Sequence, residues 1–203
     1  MMIKNLIFDF GKVLVCYDFT AFLRTFIDDD AERFAFEQIV AHPKFVERCD
    51  LGVDSFEDII REHQQTYPHW ARQFQIFYDR QLDAVTHEMP GMRDLLIRLK
   101  NKGYKLYGLS NWSNTIYPVM EKFDIFRLLD DRIISSEEKI VKPDLAIYNL
   151  LCERFNLIPQ ECLFTDDKQA NIDAAQASGM QAVLFTDTDH FEQDLKRLGV
   201  LPA

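Results

Sequence analysis

The chain has 203 residues, 47% hydrophobic and 28% charged, a composition typical of a globular protein and unlike that of disordered or low-complexity chains. A formal net charge of -10 argues against nucleic acid as a partner, because phosphate backbones repel an acidic surface. The sequence has no apolar run of the roughly 18 residues that a membrane span needs, no leader pattern and no CxxC spacing. We therefore expect a cytoplasmic protein without membrane partners, as a monomer or weak homodimer.

The first predicted element is a buried strand over residues 3–9. It ends in a single acid, Asp9, and the chain breaks two residues later at Gly11. An isolated acid at the end of an apolar strand usually caps a turn. A functional interpretation of Asp9 therefore depends on what the rest of the chain brings to the same place.

A helical pattern follows the first strand. Up to residue 88 strand signals are absent, and apolar residues such as Phe19 and Phe22 recur at helical spacing. Asp30 and Ser55 precede helical stretches and are the predicted N-caps. We interpret this insertion as a small helical cap domain placed after the first strand. The predicted division is a core of residues 1–15 and 88–203 and a cap of residues 16–87.

Strands and helices alternate through the remainder of the chain. Apolar runs predict further strands over residues 104–110, 131–135, 162–166 and 181–185. Apolar residues at helical spacing predict helices over residues 91–103, 143–155 and 166–179. This alternation is typical of α/β proteins, so we expect a Rossmann-like, doubly wound parallel sheet.

Polar side chains lie at or just beyond the C-terminal ends of these strands. They are Asp9, the Ser110–Asn111 pair, Lys142 and the Asp166–Asp167 pair. The carboxyl ends of parallel strands converge on one edge of a sheet, so these residues are expected to face a common cleft. Singly, each has an ordinary structural explanation, and the functional interpretation depends on their joint order.

The set fits phosphoryl transfer through a covalent intermediate. The Asp9 carboxylate would attack phosphorus, and water would then hydrolyse the acyl phosphate. A dianionic substrate repels an anionic nucleophile, so a cation must screen them, and Mg²⁺ held by Asp9 and Asp167 meets this need. Lys142 would offset the growing charge, and the Ser110 hydroxyl would hold a non-bridging oxygen. Asn111, beside Ser110, is a further candidate substrate contact.

In these ordered motifs the chain resembles the haloacid dehalogenase-like hydrolases over nearly its whole length. The stretch DDKQANIDAAQASGM is similar to the family's last motif. The resemblance implies that Asp167 binds the metal, that Asn171 supports the site and that Asp166 is a weaker ligand or lies behind it. The insertion is similar to the family's helical cap of subfamily I, and residues 49–58 are similar to the cap loop that selects substrate. The most similar branch is the sugar-phosphate phosphatases, including those that act on α-D-glucose 1-phosphate.

The sequence departs from the family pattern at Gly11. Most phosphatases of the family carry a second Asp there, which protonates the leaving group. The resemblance still implies a metal ligand, because this position contributes its main-chain oxygen. Protonation of the leaving group, worth roughly 10²–10⁴-fold in rate, therefore has no donor at this position. An acid of the cap or a water molecule could each supply the proton. A sugar 1-phosphate evades part of this loss, because its hemiacetal oxygen leaves more readily than an ordinary alcohol.

Two alternatives stay open. Hydrolytic haloacid dehalogenases also lack the second Asp, but they do not need the metal-binding acid, so the presence of Asp167 favours a phosphatase. The other alternative is a catalytically weak binding or regulatory protein of the same fold, against which the joint retention of Asp9, Ser110, Lys142 and Asp167 argues. The sequence thus predicts a Mg²⁺-dependent phosphatase for a small phosphorylated metabolite, with a sugar phosphate as the preferred substrate.

Overall fold

A computed structural model describes residues 2–202 of the chain. In this range the strands are β1 (Asn5–Phe8), β2 (Val15–Tyr17), β3 (Val85–Glu88), β4 (Lys105–Ser110), β5 (Asp131–Ile134), β6 (Cys162–Asp166) and β7 (Gln181–Leu184). Five of them form a parallel sheet in the order β5-β4-β1-β6-β7. The winding direction reverses at β1, as in doubly wound folds. The predicted α/β fold class and the predicted strands are confirmed.

The insertion after the first strand is mostly helical. Its helices are α1 (Phe19–Arg24), α2 (Asp30–Val40), α3 (Pro43–Leu51), α4 (Phe56–Thr66) and α5 (Ala71–Arg80). They enclose an apolar cluster of their own that is rich in Phe and includes Phe22, Phe36 and Phe74. Aromatic rings of this size bury much area for each residue, which explains how five short helices hold together.

Six further helices flank the sheet. They are α6 (Met92–Asn101), α7 (Ile116–Lys122), α8 (Ser135–Glu138), α9 (Leu145–Phe155), α10 (Gln169–Ala177) and α11 (Thr188–Arg197). Side chains alternate across β1, so Leu6 and Phe8 pack in the cluster that contains α6 and α11, while Ile7 packs with α9 and α10. The central strand is therefore buried on both faces, as expected for a parallel sheet.

Two details of the insertion differ from the sequence expectations. The expectation of no strands between β1 and residue 88 is wrong, because β2 and β3 pair as an antiparallel ribbon in the register Val15↔Glu88. Three and four residues are too few for a periodic signal, and their partners are far apart in the sequence. The predicted boundaries between core and cap fall inside this ribbon, and the division itself stays a prediction.

The predicted helix caps are half right. Ser55 caps α4, accepting a hydrogen bond from the Asp58 N–H at 3.1 Å. Asp30 is already the first residue of α2, and Asp29 is its cap, accepting from the Glu32 N–H at 2.8 Å. Neighbouring acids in the run 28–30 made the register of the cap ambiguous.

None of the helices within residues 2–202 is both long and apolar enough to cross a bilayer.

Gly108 on β4 makes room for the chain that leaves β1. A Cβ atom at this position would lie 2.4 Å from Cε1 of the Phe10 ring. Phe10 is fully buried, and its ring meets that of Phe126 edge to face, with centroids 4.9 Å apart. The absence of a side chain at Gly108 thus lets Phe10 anchor the turn that follows Asp9.

We predict that Gly108→Ala destabilises the protein by about 1–3 kcal/mol, the usual cost of forcing extra atoms into a packed core. The free energy of unfolding is measured by urea denaturation. Lys105→Ala, at an exposed position of the same strand, serves as the control and should cost less than about 1 kcal/mol. Equal unfolding midpoints for Gly108→Ala and the wild type would contradict the packing argument.

Candidate active site

Asp9 lies directly after the central strand. Its N–H donates to the Thr165 carbonyl at 3.0 Å, so the backbone pairing continues to this residue. The chain then turns tightly, with the Val15 N–H donating to the Phe10 carbonyl at 3.0 Å. The backbone at Gly11 passes close to the Tyr17 ring, which an added Cβ would meet at 3.1 Å. The Asp9 carboxylate is therefore held by a rigid strand end and is largely buried.

Lys142 lies between two carboxylates. Its Nζ is 2.9 Å from Asp9 Oδ1 and 2.6 Å from Asp166 Oδ2, and it also donates to the Leu109 carbonyl at 2.8 Å. An ammonium group has three N–H donors, and each has an acceptor here. The predicted contact between Lys142 and a phosphoryl group stays a prediction, and that contact requires the ammonium group to exchange one of these acceptors.

The charges of this group are strongly coupled. Burial raises the pKa of Asp9, and Lys142 opposes that shift. Burial alone would lower the pKa of Lys142, but the carboxylates of Asp9 and Asp166 outweigh it and the net shift is upward. Lys142 therefore stays an ammonium ion, while one positive charge faces two negative ones.

Asp166 accepts more hydrogen bonds than the other carboxyl groups of this cluster. Both of its carboxylate oxygens accept from Asn171 Nδ2 at 2.9 Å, and Oδ1 also accepts from the Lys168 N–H at 2.9 Å. With Lys142 on Oδ2, both oxygens already have partners. The implied supporting role of Asn171 therefore has a visible partner in Asp166. The weaker metal-ligand role of Asp166 stays a prediction, and these hydrogen bonds compete with it.

Three acidic side chains lie close enough together to hold a cation. Asp9, Asp166 and Asp167 each offer a carboxylate oxygen within 4.8 Å of the others. Asp167 is the more accessible of the last pair, and Lys12 Nζ lies 3.9 Å from its Oδ2. Among the hydrogen bonds recorded within residues 2–202, the Gly11 carbonyl accepts none. These hard oxygen donors fit Mg²⁺.

Ser110 and Asn111 lie at the end of β4 with different surroundings. The Ser110 hydroxyl is buried and has no hydrogen-bond partner in the described part of the chain. A buried polar group without a partner is costly, so this hydroxyl is suited to a ligand oxygen. The Asn111 amide is already engaged: Oδ1 accepts from the Lys142 N–H at 2.7 Å, and Nδ2 donates to the Lys142 carbonyl at 2.9 Å. Asn111 thus positions Lys142, and its predicted substrate contact stays a prediction.

A cavity of about 260 Å³ separates these residues from the insertion. This volume is below the roughly 300–1,000 Å³ of sites for drug-sized ligands. The sheet side is lined by Asp9, Gly11, Ser110, Asn111, Asp167 and Lys168, so the predicted residues converge. The opposite side is mainly aromatic, with Tyr17, Phe19, Phe22, Phe45, Phe56 and Phe77.

Sequence reasoning missed several residues of the cavity wall. Asp50, Lys168, Tyr17 and Gln81 all line it, and none was singled out. Asp50 had a usable signal, because it falls in the stretch 49–58 that resembles a substrate-selecting cap loop, and so had Lys168, because it follows Asp167 in the stretch that resembles the family's last motif. Tyr17 and Gln81 face the cavity because of how the insertion packs on the sheet, which no local pattern reveals.

We predict that Lys142→Met lowers the free energy of unfolding by about 3–5 kcal/mol, because it leaves buried carboxylates without their cation. Urea denaturation in EDTA measures the loss without a contribution from bound metal. Lys12→Met removes an exposed lysine from the neighbouring Asp167 and should cost less than about 1 kcal/mol. A similar small loss for Lys142→Met would show that the buried cluster does not depend on its ammonium group.

Comparison with known proteins gives a consistent result. A family model for haloacid dehalogenase-like hydrolases matches residues 3–179. The chain is 30% identical to glyceraldehyde 3-phosphate phosphatase of Pyrococcus abyssi, over 91% of this chain and 82% of that protein. It is also 30% identical to phosphoglycolate phosphatase of Haemophilus influenzae, over 57% of this chain but about half of that protein, 52%.

Solved structures support the fold. The magnesium complex of a HAD family enzyme from Bacteroides thetaiotaomicron superposes with a TM-score of 0.77, covering 97% of this chain and 100% of that one. The sequence identity of this pair is 19%, so the likeness concerns the fold alone.

Proposed function

The chain belongs to the haloacid dehalogenase-like hydrolases and is a phosphatase, and on this premise we propose that it is a Mg²⁺-dependent enzyme for a small phosphorylated metabolite. The reaction passes through an aspartyl phosphate on Asp9. The observation that carries this proposal is the buried cluster of Asp9, Lys142 and Asp166 beside Asp167, of which Asp9 and Asp167 line a small cavity.

In the first step the Asp9 carboxylate attacks phosphorus. Lys142 holds Asp9 Oδ1 at 2.9 Å and so fixes the orientation of the nucleophile. A bond forms between a carboxylate oxygen of Asp9 and phosphorus, and the bond from phosphorus to the leaving-group oxygen breaks. In the second step water attacks the phosphorus of the acyl phosphate, which frees inorganic phosphate and restores the Asp9 carboxylate.

The remaining residues of the site would offset the negative charges of the phosphate and of the nucleophile. Asp9, the Gly11 carbonyl and Asp167 would hold Mg²⁺, which when bound supplies the positive charge that screens the phosphate from the nucleophile. The Ser110 hydroxyl, which has no partner in the described structure, would donate to a non-bridging phosphoryl oxygen. Such a donor, fixed before the substrate arrives, stabilises the charge that develops during transfer.

We predict that Asp9→Asn lowers phosphate release from p-nitrophenyl phosphate by about 10³-fold or more, because the amide is not a nucleophile. Assays run with Mg²⁺ and again with EDTA, and EDTA should abolish release by the wild type. Asp28→Asn, an exposed acid of the insertion, is the matched control and should keep full activity. A circular dichroism spectrum confirms that both variants fold. Undiminished activity in Asp9→Asn would sink the mechanism.

For the substrate we propose a sugar phosphate, preferably a short one. The relative from Pyrococcus abyssi is named for a three-carbon sugar phosphate. The cap side of the cavity is mainly aromatic, with Asp50 and Gln81 among its few polar side chains. Each sugar hydroxyl that loses water without gaining a partner costs free energy. Short sugars carry fewer such hydroxyls than hexoses do.

We predict that kcat/KM for glyceraldehyde 3-phosphate exceeds that for glucose 1-phosphate and glucose 6-phosphate by about tenfold or more. Enzymatic detection of phosphate in a substrate panel gives the ranking. The same panel tests the preference for a sugar 1-phosphate, since an enzyme without a leaving-group acid should favour glucose 1-phosphate strongly over glucose 6-phosphate. Chloride release from 2-chloropropionate, with no phosphate release from any ester, would instead favour the dehalogenase alternative.

A further inference from the structure

Gly11 has no side chain to protonate the leaving group, but the cap side of the cavity carries an acid. Asp50 lines the same cavity as Asp9 and Ser110. We propose that Asp50 is the general acid that protonates the leaving group, and that it then acts as the base for the attacking water. This inference rests on the proposed phosphatase function and deepens it.

Backbone contacts fix Asp50 relative to the sheet. The Asp50 carbonyl accepts from Ser135 Oγ at 2.6 Å, and the same oxygen of Ser135 accepts from the Trp112 N–H at 3.0 Å. Trp112 is two residues beyond Ser110, so a single hydroxyl joins the end of α3 to the loop that carries the phosphoryl-binding candidate. The backbone of Asp50 is therefore tied to the site by the fold, and only the short Asp side chain separates its carboxyl group from this fixed point.

A close approach at the next turn supports this arrangement. Gly52 ends α3 in a left-handed conformation, with a φ of 61°. A Cβ atom there would lie 2.5 Å from the Ser136 Cβ. Lys139 Nζ also donates to the Gly52 carbonyl. These contacts seat the end of α3 on α8, the short helix that follows β5, on the side where Asp50 faces the cavity.

The surroundings of Asp50 suit a proton donor. Its carboxylate has no recorded hydrogen bond or ion pair in the described part of the chain. Burial raises the pKa of Asp50 to about 7; Asp9 adds to this shift, and Lys168 and Lys142 oppose it. A carboxyl group that holds its proton near neutral pH is the kind that acts as a general acid.

Other side chains that line the cavity also carry ionisable protons, among them Tyr17, Cys49 and Lys168. Burial raises the pKa of the Cys49 thiol to about 12, which makes it a weak acid. Burial raises the pKa of Tyr17 to about 12, so its hydroxyl is a far weaker acid than the Asp50 carboxyl. Lys168 is exposed at the rim, where water competes for its ammonium group. Among these side chains, Asp50 combines burial with a carboxyl group that gives up its proton near neutral pH.

The Asp50 carboxyl group loses its proton in the first step and regains one in the second. As the Asp9 oxygen bonds to phosphorus, the phosphorus–oxygen bond to the leaving group breaks and its electron pair stays on that oxygen. This oxygen takes the proton of the Asp50 carboxyl, which yields a neutral alcohol, an aspartyl phosphate and the Asp50 carboxylate. The carboxylate then removes a proton from the water that attacks phosphorus, and the cycle closes with free phosphate.

The test compares esters that differ in their need for an acid. Nitrophenolate leaves without protonation, whereas the alkoxide of glyceraldehyde 3-phosphate does not. In Asp50→Asn we expect kcat/KM, which reports the steps up to departure of the leaving group and not the later hydrolysis common to both esters, to fall by about 10²-fold or more on the alkyl ester and by less than about fivefold on p-nitrophenyl phosphate. Asp50→Glu, which keeps the carboxyl group, should keep a ratio of the two rates near that of the wild type.

Glu47→Gln, at an exposed position of the same helix, is the matched control and should leave both rates unchanged. Equal losses on both esters in Asp50→Asn, or no loss on either, would overturn the assignment. So would a selective loss on the alkyl ester in Lys168→Gln with none in Asp50→Asn. A wild type that releases phosphate from neither ester refutes the phosphatase proposal itself, and the role of Asp50 falls with it.

Discussion

The site depends on one buried ammonium group. Lys142 Nζ contacts Asp9 and Asp166 at 2.9 and 2.6 Å, in a place from which water is almost excluded. Removing charged groups from water costs several kcal/mol for each ion. Burial accordingly raises the pKa of Asp9, and Lys142 opposes that shift. The interaction that holds the nucleophile in place therefore also favours its anionic form.

The rest of the core is arranged to deliver that lysine. β1 is the middle strand of the sheet, with β4 and β6 as its neighbours, so Asp9, Ser110 and Asp166 end side by side. Lys142 comes from a loop beyond β5, and Asn111 holds its backbone at the centre by accepting from the Lys142 N–H and donating to the Lys142 carbonyl. Asn171 holds Asp166 differently, by donating its Nδ2 group to both oxygens of the side-chain carboxylate. The side-chain amides of Asn111 and Asn171 thus hold the charged groups of Lys142 and Asp166 in fixed positions beside the strand ends.

Sequence reasoning predicted placement where position along a strand determines position in space. Because strand ends of a parallel sheet converge, it placed Asp9, Ser110 and Asp167 in one cleft, and all three line one cavity; their chemical roles stay predictions. It failed for the β2–β3 ribbon, whose pairing joins Val15 to Glu88 across the whole insertion. It also missed Asp50, since its proximity to Asp9 depends on how α3 docks on Ser135, a contact between surfaces with no local pattern.

Gly11, which stands where most phosphatases of the family carry a second Asp, also changes how the reaction is controlled. A second Asp beside the nucleophile would place its proton in the site whether or not the insertion is seated on the sheet. With Gly11 at that position, the acid we propose is Asp50, whose place is set by the contacts of Gly52 with Ser136 and Lys139. Transfer of the proton to a poor leaving group then requires the insertion to be docked on the core, through contacts such as that between the Asp50 carbonyl and Ser135. Coupling the acid to the docked state links efficient cleavage of the substrate to enclosure of the site.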